Sequence, residues 1–315
     1  MALRIVFCGT PAFGILTFQR LLAESDFSIE AVVTQPDRPS GRGRKTAASS
    51  VKEAALAARI QIFQPERIRS DSARDFLRRL APDAVVIIAY GQIIPRDLLE
   101  IPRLGWINLH ASLLPQYRGA APIQRAILNG DRKSGLTTMR IDAGMDTGPI
   151  LEQVEMEIGA DETAPQLSQR MAEAGAPLML ATLRRLAEGT VLPTPQDNSR
   201  ATLAPPLKRE EGLIDWSKPA ASIYNQIRAF DPWPGAFTHF RKRLCHIWGR
   251  PVESPQAGKR GEPGAILAEK ENILVACGAS SCLRLEFVKP EGRNRMTSRE
   301  FSSGARFQSG DRFAS

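Results

Sequence analysis

The sequence runs to 315 residues, 43% of them hydrophobic and 24% charged, the composition of a soluble globular protein with enough chain for two separate cores. No run of about 18 apolar residues occurs, so no helix is expected to cross a membrane. The net charge is +8, and from Lys208 onward 18 Lys and Arg stand against 12 Asp and Glu, so +6 of it lies in the C-terminal third; a basic module beside a nearly neutral one suggests a polyanionic partner, nucleic acid first.

Residues 4–7 form a short apolar strand entered almost directly from Met1. No signal peptide is expected there, and the protein is expected in the cytoplasm. Thr10 can cap a helix and Pro11 can take its first position, with Phe13, Leu16, Leu21 and Leu22 following. Residues 29–34 are a second buried strand, which completes a βαβ unit of a parallel sheet. Gly9 and Gly14 do not make G-x-G-x-x-G, so a dinucleotide site is not expected.

Residues 36–50 interrupt the pattern. They carry Arg38, Arg42, Arg44 and Lys45 against one acid, Asp37. The Gly, Pro and Ser content predicts a mobile surface loop, and its charge suits a phosphate backbone. Helices are expected at 51–59, 72–80, 95–99 and 122–129, and strands at 60–63, 84–89 and 136–141. The apolar run 84–89 fits a parallel strand buried on both faces. Residues 150–158 alternate as a strand, and 163–188 form one long amphipathic helix.

Residues 189–206 hold four prolines and little periodicity, as an interdomain linker would. Beyond a helix at 222–230 come the rigid turn Asp231-Pro232-Trp233-Pro234-Gly235 and five short strands, at 236–240, 244–248, 264–268, 273–276 and 283–287. The expected fold is α/β: a Rossmann-like, mostly parallel sheet with helices on both faces over residues 1–188, a linker over 189–207, and a C-terminal OB-like β-barrel domain over 208–315. Cys8, Cys245, Cys277 and Cys282 are few and irregularly spaced, so free thiols and no metal site are expected.

The chemistry concentrates at Asn108 to Pro115, N-L-H-A-S-L-L-P. Residues 105–110 alternate, so Asn108 and His110 leave one face of a strand end while Ile107 and Leu109 leave the other. Asp146 sits in a glycine-rich turn, where backbone approaches a ligand closely. An amide, an imidazole and a carboxylate suit attack of an amine on an acyl carbon. The amide and a ring N–H can stabilise the oxyanion, and the carboxylate can hold the imidazole and help remove the amine proton. No Ser or Cys has the setting of an activated nucleophile, which favours direct transfer.

Asn108-x-His110-x-Ser112-Leu113-Leu114-Pro115 with a following glycine-turn Asp resembles the 10-formyltetrahydrofolate-dependent formyltransferases. The likeness extends to V-F-C-G-T-P-A-F at 6–13, Q-Y-R-G-A-A-P-I-Q-R at 116–125, D-A-G-M-D-T-G-P-I at 142–150 and I-R-A-F-D-P-W-P-G-A at 227–236. It implies a formyl group carried from 10-formyltetrahydrofolate as co-substrate, without a metal. Together with the loop at 36–50 and the basic barrel, the last stretch points to the branch acting on initiator methionyl-tRNA. The product would be formylmethionyl-tRNA for translation initiation. The resemblance implies Asn108, His110 and Asp146 as catalytic and Ser112, Leu113, Leu114 and Pro115 as folate contacts. Arg38, Arg42, Arg44 and Lys45 are implied as tRNA contacts, Arg42 above all at the acceptor end. A monomer is expected. The alternative is transfer to a small amine such as glycinamide ribonucleotide or an amino sugar, which needs neither the basic loop nor the basic barrel. Ser50 departs from the pattern, because the family often has Pro before Val51-Lys52.

Overall fold

The computed structural model describes residues 2–40, 45–252, 261–267, 273–308 and 310–314. The chain divides into two compact units. One comprises Met1–Pro122, Lys133–Glu157 and Gln166–Pro205; the other comprises Ile123–Arg132, Ile158–Pro165 and Pro206–Ser315.

The first unit begins with the expected βαβ unit: β1 (Leu3–Gly9), α1 (Ile15–Ala23) and β2 (Phe27–Val33), with β1 and β2 parallel. A hairpin of β3 (Arg38–Ser40) and β4 (Lys45–Ala47) follows, then α2 (Ser50–Ala57), β5 (Ile62–Phe63) and α3 (Asp71–Leu80). Next come β6 (Ala84–Ile88), α4 (Arg96–Leu99), β7 (Trp106–His110) and the short β8 (Arg118–Gly119). After α5 (Pro122–Asn129), nearly all of which belongs to the second unit, the antiparallel pair β9 (Lys133–Arg140) and β10 (Ile150–Glu157) precedes α6 (Ala164–Glu188) and β11 (Leu203–Ala204).

The main sheet runs β10-β9-β7-β6-β1-β2-β5, parallel from β7 to β5 and antiparallel at β9 and β10. Every residue of β6 is buried, as covering both faces requires. Val6, Cys8, Val85 and Ile87 pack with Phe76 and Leu77 of α3 on one face. Phe7, on the other, lies 5.2 Å from the Phe18 ring of α1. Strand order reverses between β1 and β6, so the C-terminal strand ends open the crevice where such sheets take ligands. His110 stands at that end of β7.

The segment expected as a linker packs into the first unit. Ile150 and Thr194 exchange two backbone hydrogen bonds of 2.8 Å, and β11 pairs in parallel with β8. Backbone groups paired in this way are fixed, which a free tether would not be.

The basic loop is a hairpin in its flanks, with Arg38 opposite Ala47 and Ser40 opposite Lys45; Arg42 and Arg44 lie outside the described residues. Side chains outside the hairpin close its base. Thr34 and Ser49 hydroxyls meet at 2.9 Å, Lys52 Nζ donates to Asp37 Oδ2 at 2.5 Å, and Gln64 Nε2 donates to the Gln35 carbonyl at 2.9 Å and to Asp37 Oδ1 at 2.8 Å. These donors hold the Asp37 carboxyl below the ordinary aspartate range. Ser49 caps α2 by accepting from Lys52 N. Ser50 is therefore the first helical residue, a place where Pro is also at home because that amide lacks a helical partner.

The second unit holds α7 (Ala220–Phe230), β12 (Phe237–Phe240), β13 (Arg243–Val252), β14 (Ile273–Cys277), β15 (Ser281–Pro290), β16 (Met296–Thr297), α8 (Ser298–Ala305) and β17 (Phe313–Ala314). Its antiparallel sheet runs β14-β15-β13-β12-β17, with β16 on β15. The stretch expected as a strand at 264–268 joins the two ends; Ala268 lies outside the described residues. Ala276 N donates to Ala265 O at 2.9 Å, and Phe313 N donates to Gly264 O at 2.9 Å. This stretch thus bridges the two edge strands, β14 and β17, and brings the sheet towards a barrel. Trp216, Ile223, Leu283, Leu285 and Phe313 fill it. Helix α8 was not expected, although Thr297 and Glu300 form a capping box at its start.

Residues from earlier in the sequence complete this unit. Arg125 of α5 forks onto Glu211, Tyr224 Oη donates to Asp161 Oδ1 at 2.6 Å, and Arg228 donates to the carbonyls of Gly159 and Glu162 at 3.2 and 2.8 Å. Among the described residues no helix is long and apolar enough to cross a membrane.

Candidate active site

Strand β7 delivers Asn108 and His110 to one face because the strand period is two. Its neighbours place them: Asn108 sits opposite Ile87 and Met139, and His110 opposite Thr137. Both are nearly buried, at 8% and 6% exposure, so a ligand reaching them leaves bulk water behind.

His110 Nε2 lies 2.9 Å from the Tyr117 carbonyl. A carbonyl oxygen only accepts, so Nε2 carries the proton. Nδ1 then faces Asp146 Oδ2 at 3.7 Å, and the same oxygen accepts from Gly119 N at 2.8 Å. The sequence-predicted catalytic set is brought together: Asn108 and His110 by one strand, Asp146 by a turn 36 residues downstream of His110. Asp146 has φ 53°, in the left-handed region where Asp is one of the few tolerated side chains.

The stretch Ser112–Pro115 follows His110 directly. Ser112 Oγ donates to the Gln116 carbonyl at 2.6 Å, and Leu114 and Pro115 are buried while Leu113 is half-buried. Thr137 Oγ1 donates to Ser112 O at 2.7 Å and accepts from Leu114 N at 3.1 Å and Gln153 Nε2 at 2.9 Å. That uses the full capacity of one hydroxyl. Gln153 Nε2 also donates to Leu114 O at 2.9 Å. Thr137 and Gln153 had no sequence signal, since each looks like an ordinary strand residue.

Gly135 leaves the room Leu113 occupies: an added Cβ would lie 2.5 Å from Leu113 Cδ2 and 2.3 Å from the Val154 carbonyl. Gly135→Ala is therefore expected to destabilise the protein by about 1–3 kcal/mol, the usual penalty of overpacking. Thermal unfolding checks the loss.

Two further polar residues were missed. Arg118 is 7% exposed and donates to Gln196 Oε1 from Nε at 3.0 Å and from Nη2 at 2.7 Å, with Nη2 also on Asn198 Oδ1 at 2.8 Å. Gln196 Nε2 donates to the carbonyls of Asp146 and Gly148 at 2.8 and 2.7 Å. Arg118 lies inside the motif at 116–125. Gln196 lies in the proline-rich stretch and carries no local signal.

Of the expected tRNA contacts, Arg38 and Lys45 lie on the two hairpin strands, while Arg42 and Arg44 lie outside the described residues. No group of three His, Cys, Asp or Glu residues fit for a metal occurs among the described residues.

Residues 3–183 match the family described as formyl transferase, and residues 206–306 match the formyl transferase C-terminal domain. A protein named methionyl-tRNA formyltransferase from Solibacter usitatus is 49% identical over 305 residues, covering 96% of each chain. The chain belongs to the methionyl-tRNA formyltransferase family. A second member so named, from Koribacter versatilis, is 45% identical over 98% of this chain and 97% of its own. The fold of the family extends to more distant proteins. An N-formyltransferase from Helicobacter canadensis, solved with folinic acid and dTDP-3-aminofucose, superposes with a TM-score of 0.65 at 19% identity, over 90% of this chain and 99% of its own. HypX from Aquifex aeolicus, solved with tetrahydrofolic acid, gives 0.61 at 17% identity, over 96% of this chain and 47% of its own.

Proposed function

We propose that the protein transfers the formyl group of 10-formyltetrahydrofolate to the free amino group of initiator methionyl-tRNA, as a cytoplasmic monomer with no metal. The observation that carries the reading is the buried Asn108–His110–Asp146 set at one strand end, in a chain that matches methionyl-tRNA formyltransferases along nearly its whole length.

The amine nitrogen attacks the formyl carbon, and a tetrahedral centre with an oxyanion forms. The Asn108 carboxamide donates an N–H to that oxygen; one such donor is worth about 3 kcal/mol of transition-state stabilisation. For His110 to supply a second, its Nε2–H must turn from the Tyr117 carbonyl to the substrate oxygen. Asp146 accepts the amine proton directly or through water. The carbon–nitrogen bond to the folate then breaks, and the folate nitrogen leaves with a proton. Ser112 to Pro115, held rigid by Thr137 and Gln153, form the wall against which the folate lies.

The direct test is incubation with 10-formyltetrahydrofolate and methionyl-tRNA, read as formylmethionine. Formate released without charged tRNA would indicate a hydrolase instead. The basic hairpin separates the tRNA reading from transfer to a small amine. Replacing Arg42, Arg44 and Lys45 together by Ala is expected to raise the KM for charged tRNA while folate binding and thermal stability stay unchanged. Equal loss of folate binding would place the hairpin in the folate pocket and count against tRNA.

A further inference from the structure

We propose that Gln196 is a positioning residue for Asp146, with Arg118 holding Gln196 in the orientation the task requires; the inference rests on the formyl-transfer reading above. The turn bearing Asp146 needs external support. Asp146 adopts φ 53°, and its own carbonyl and that of Gly148 find their donor outside the turn. One carboxamide nitrogen serves both, at 2.8 and 2.7 Å.

A carboxamide can face either way, and the reverse orientation would set its oxygen against two carbonyl oxygens. Arg118 decides between them. Its guanidinium points Nε–H and Nη2–H at Gln196 Oε1, which only the oxygen can accept. Among the described residues its side-chain partners are Gln196 and Asn198, both neutral, so there the buried cation orients amides and meets no carboxylate. On its other flank the turn is held by Asp142, whose Oδ1 accepts from Gly144 N at 3.0 Å and Thr147 Oγ1 at 2.7 Å. Two supports thus fix the turn that sets Asp146 Oδ2 against Gly119 N and 3.7 Å from His110 Nδ1.

Gln196→Leu removes both donors, and Gln196→Glu keeps the size and the Arg118 contact while losing both N–H groups. In the full-length protein with charged tRNA and 10-formyltetrahydrofolate, each is expected to lower kcat by about 30–100-fold, the scale of a 1 Å misplacement. KM for both substrates should stay within about twofold. If Gln196 acts through Asp146, Gln196→Leu in an Asp146→Asn background should change kcat by no more than about twofold. A residue that merely stabilised the fold would repeat its whole factor there. A single-variant loss under about threefold, or the full factor repeated in the Asp146→Asn background, overturns the proposal. Should Gln196→Leu not fold, Gln196→Glu carries the same cycle. A wild-type protein inactive on methionyl-tRNA would count against the function instead, and the cycle would then be read on formate release.

Discussion

Asp146→Asn is expected to lower kcat by about 10²–10⁴-fold, the range for loss of a positioned proton acceptor, with KM for both substrates nearly unchanged. The substitution keeps an oxygen for the Gly119 N–H, 2.8 Å away in the native protein, so it tests charge and not the shape of the turn. Asn108→Ala should lower kcat by about 10²–10³-fold through loss of one oxyanion donor. Single-turnover formylation of methionyl-tRNA at saturating folate reads both effects. The split between kcat and KM is diagnostic, because groups acting only in the transition state leave ground-state binding alone. Near-normal turnover in either variant would remove that residue from the catalytic set.

Binding of methionyl-tRNA is expected to collapse with salt. Each phosphate neutralised by Lys or Arg releases counterions, and six or more such contacts weaken binding by about 10³-fold or more between 50 and 200 mM salt. The charge is available: residues from Lys208 onward carry 18 Lys and Arg against 12 Asp and Glu. Folate binding at a largely apolar site should change by less than about threefold over the same range. The comparison belongs on the full-length protein. A cut near Gly189 would delete Gln196 and β11, and Ile123–Arg132 and Ile158–Pro165 belong to the second unit. Equal salt sensitivity of the two ligands would remove the basic barrel from tRNA recognition.

What could be seen in the sequence follows from how local its causes are. The order of strands and helices around β1, β2, β6 and β7 followed from apolar runs and caps, because burial on both faces leaves a continuous hydrophobic signature. Asn108 and His110 shared a face by arithmetic. The supports of the site were illegible for the opposite reason. Thr137, Gln153 and Gln196 act through a few hydrogen bonds across 16 to 50 residues, and neither composition nor period records such bonds. The proline-rich stretch 189–206 reads as a linker because β11 is two residues long and its other ties are single backbone pairs and side-chain contacts. The closure of the barrel was hidden likewise, since its closing stretch pairs through isolated bridges. The missed α8 is a different failure: the Thr297–Glu300 cap was present in the sequence, but the eight residues Ser298–Ala305 offer too short an apolar face to draw attention.

The closed base of the basic hairpin has an evolutionary meaning. Thr34, Asp37, Ser49, Lys52 and Gln64 tie its two feet together from outside the hairpin, so the sheet is insulated from whatever the intervening residues become. With its ends already joined, doubling the length of the insert costs only about 0.6 kcal/mol in closure entropy. The hairpin is in this sense an exchangeable cassette. Changes in the length or charge of the residues between its two strands are then expected to leave the surroundings of His110 in place.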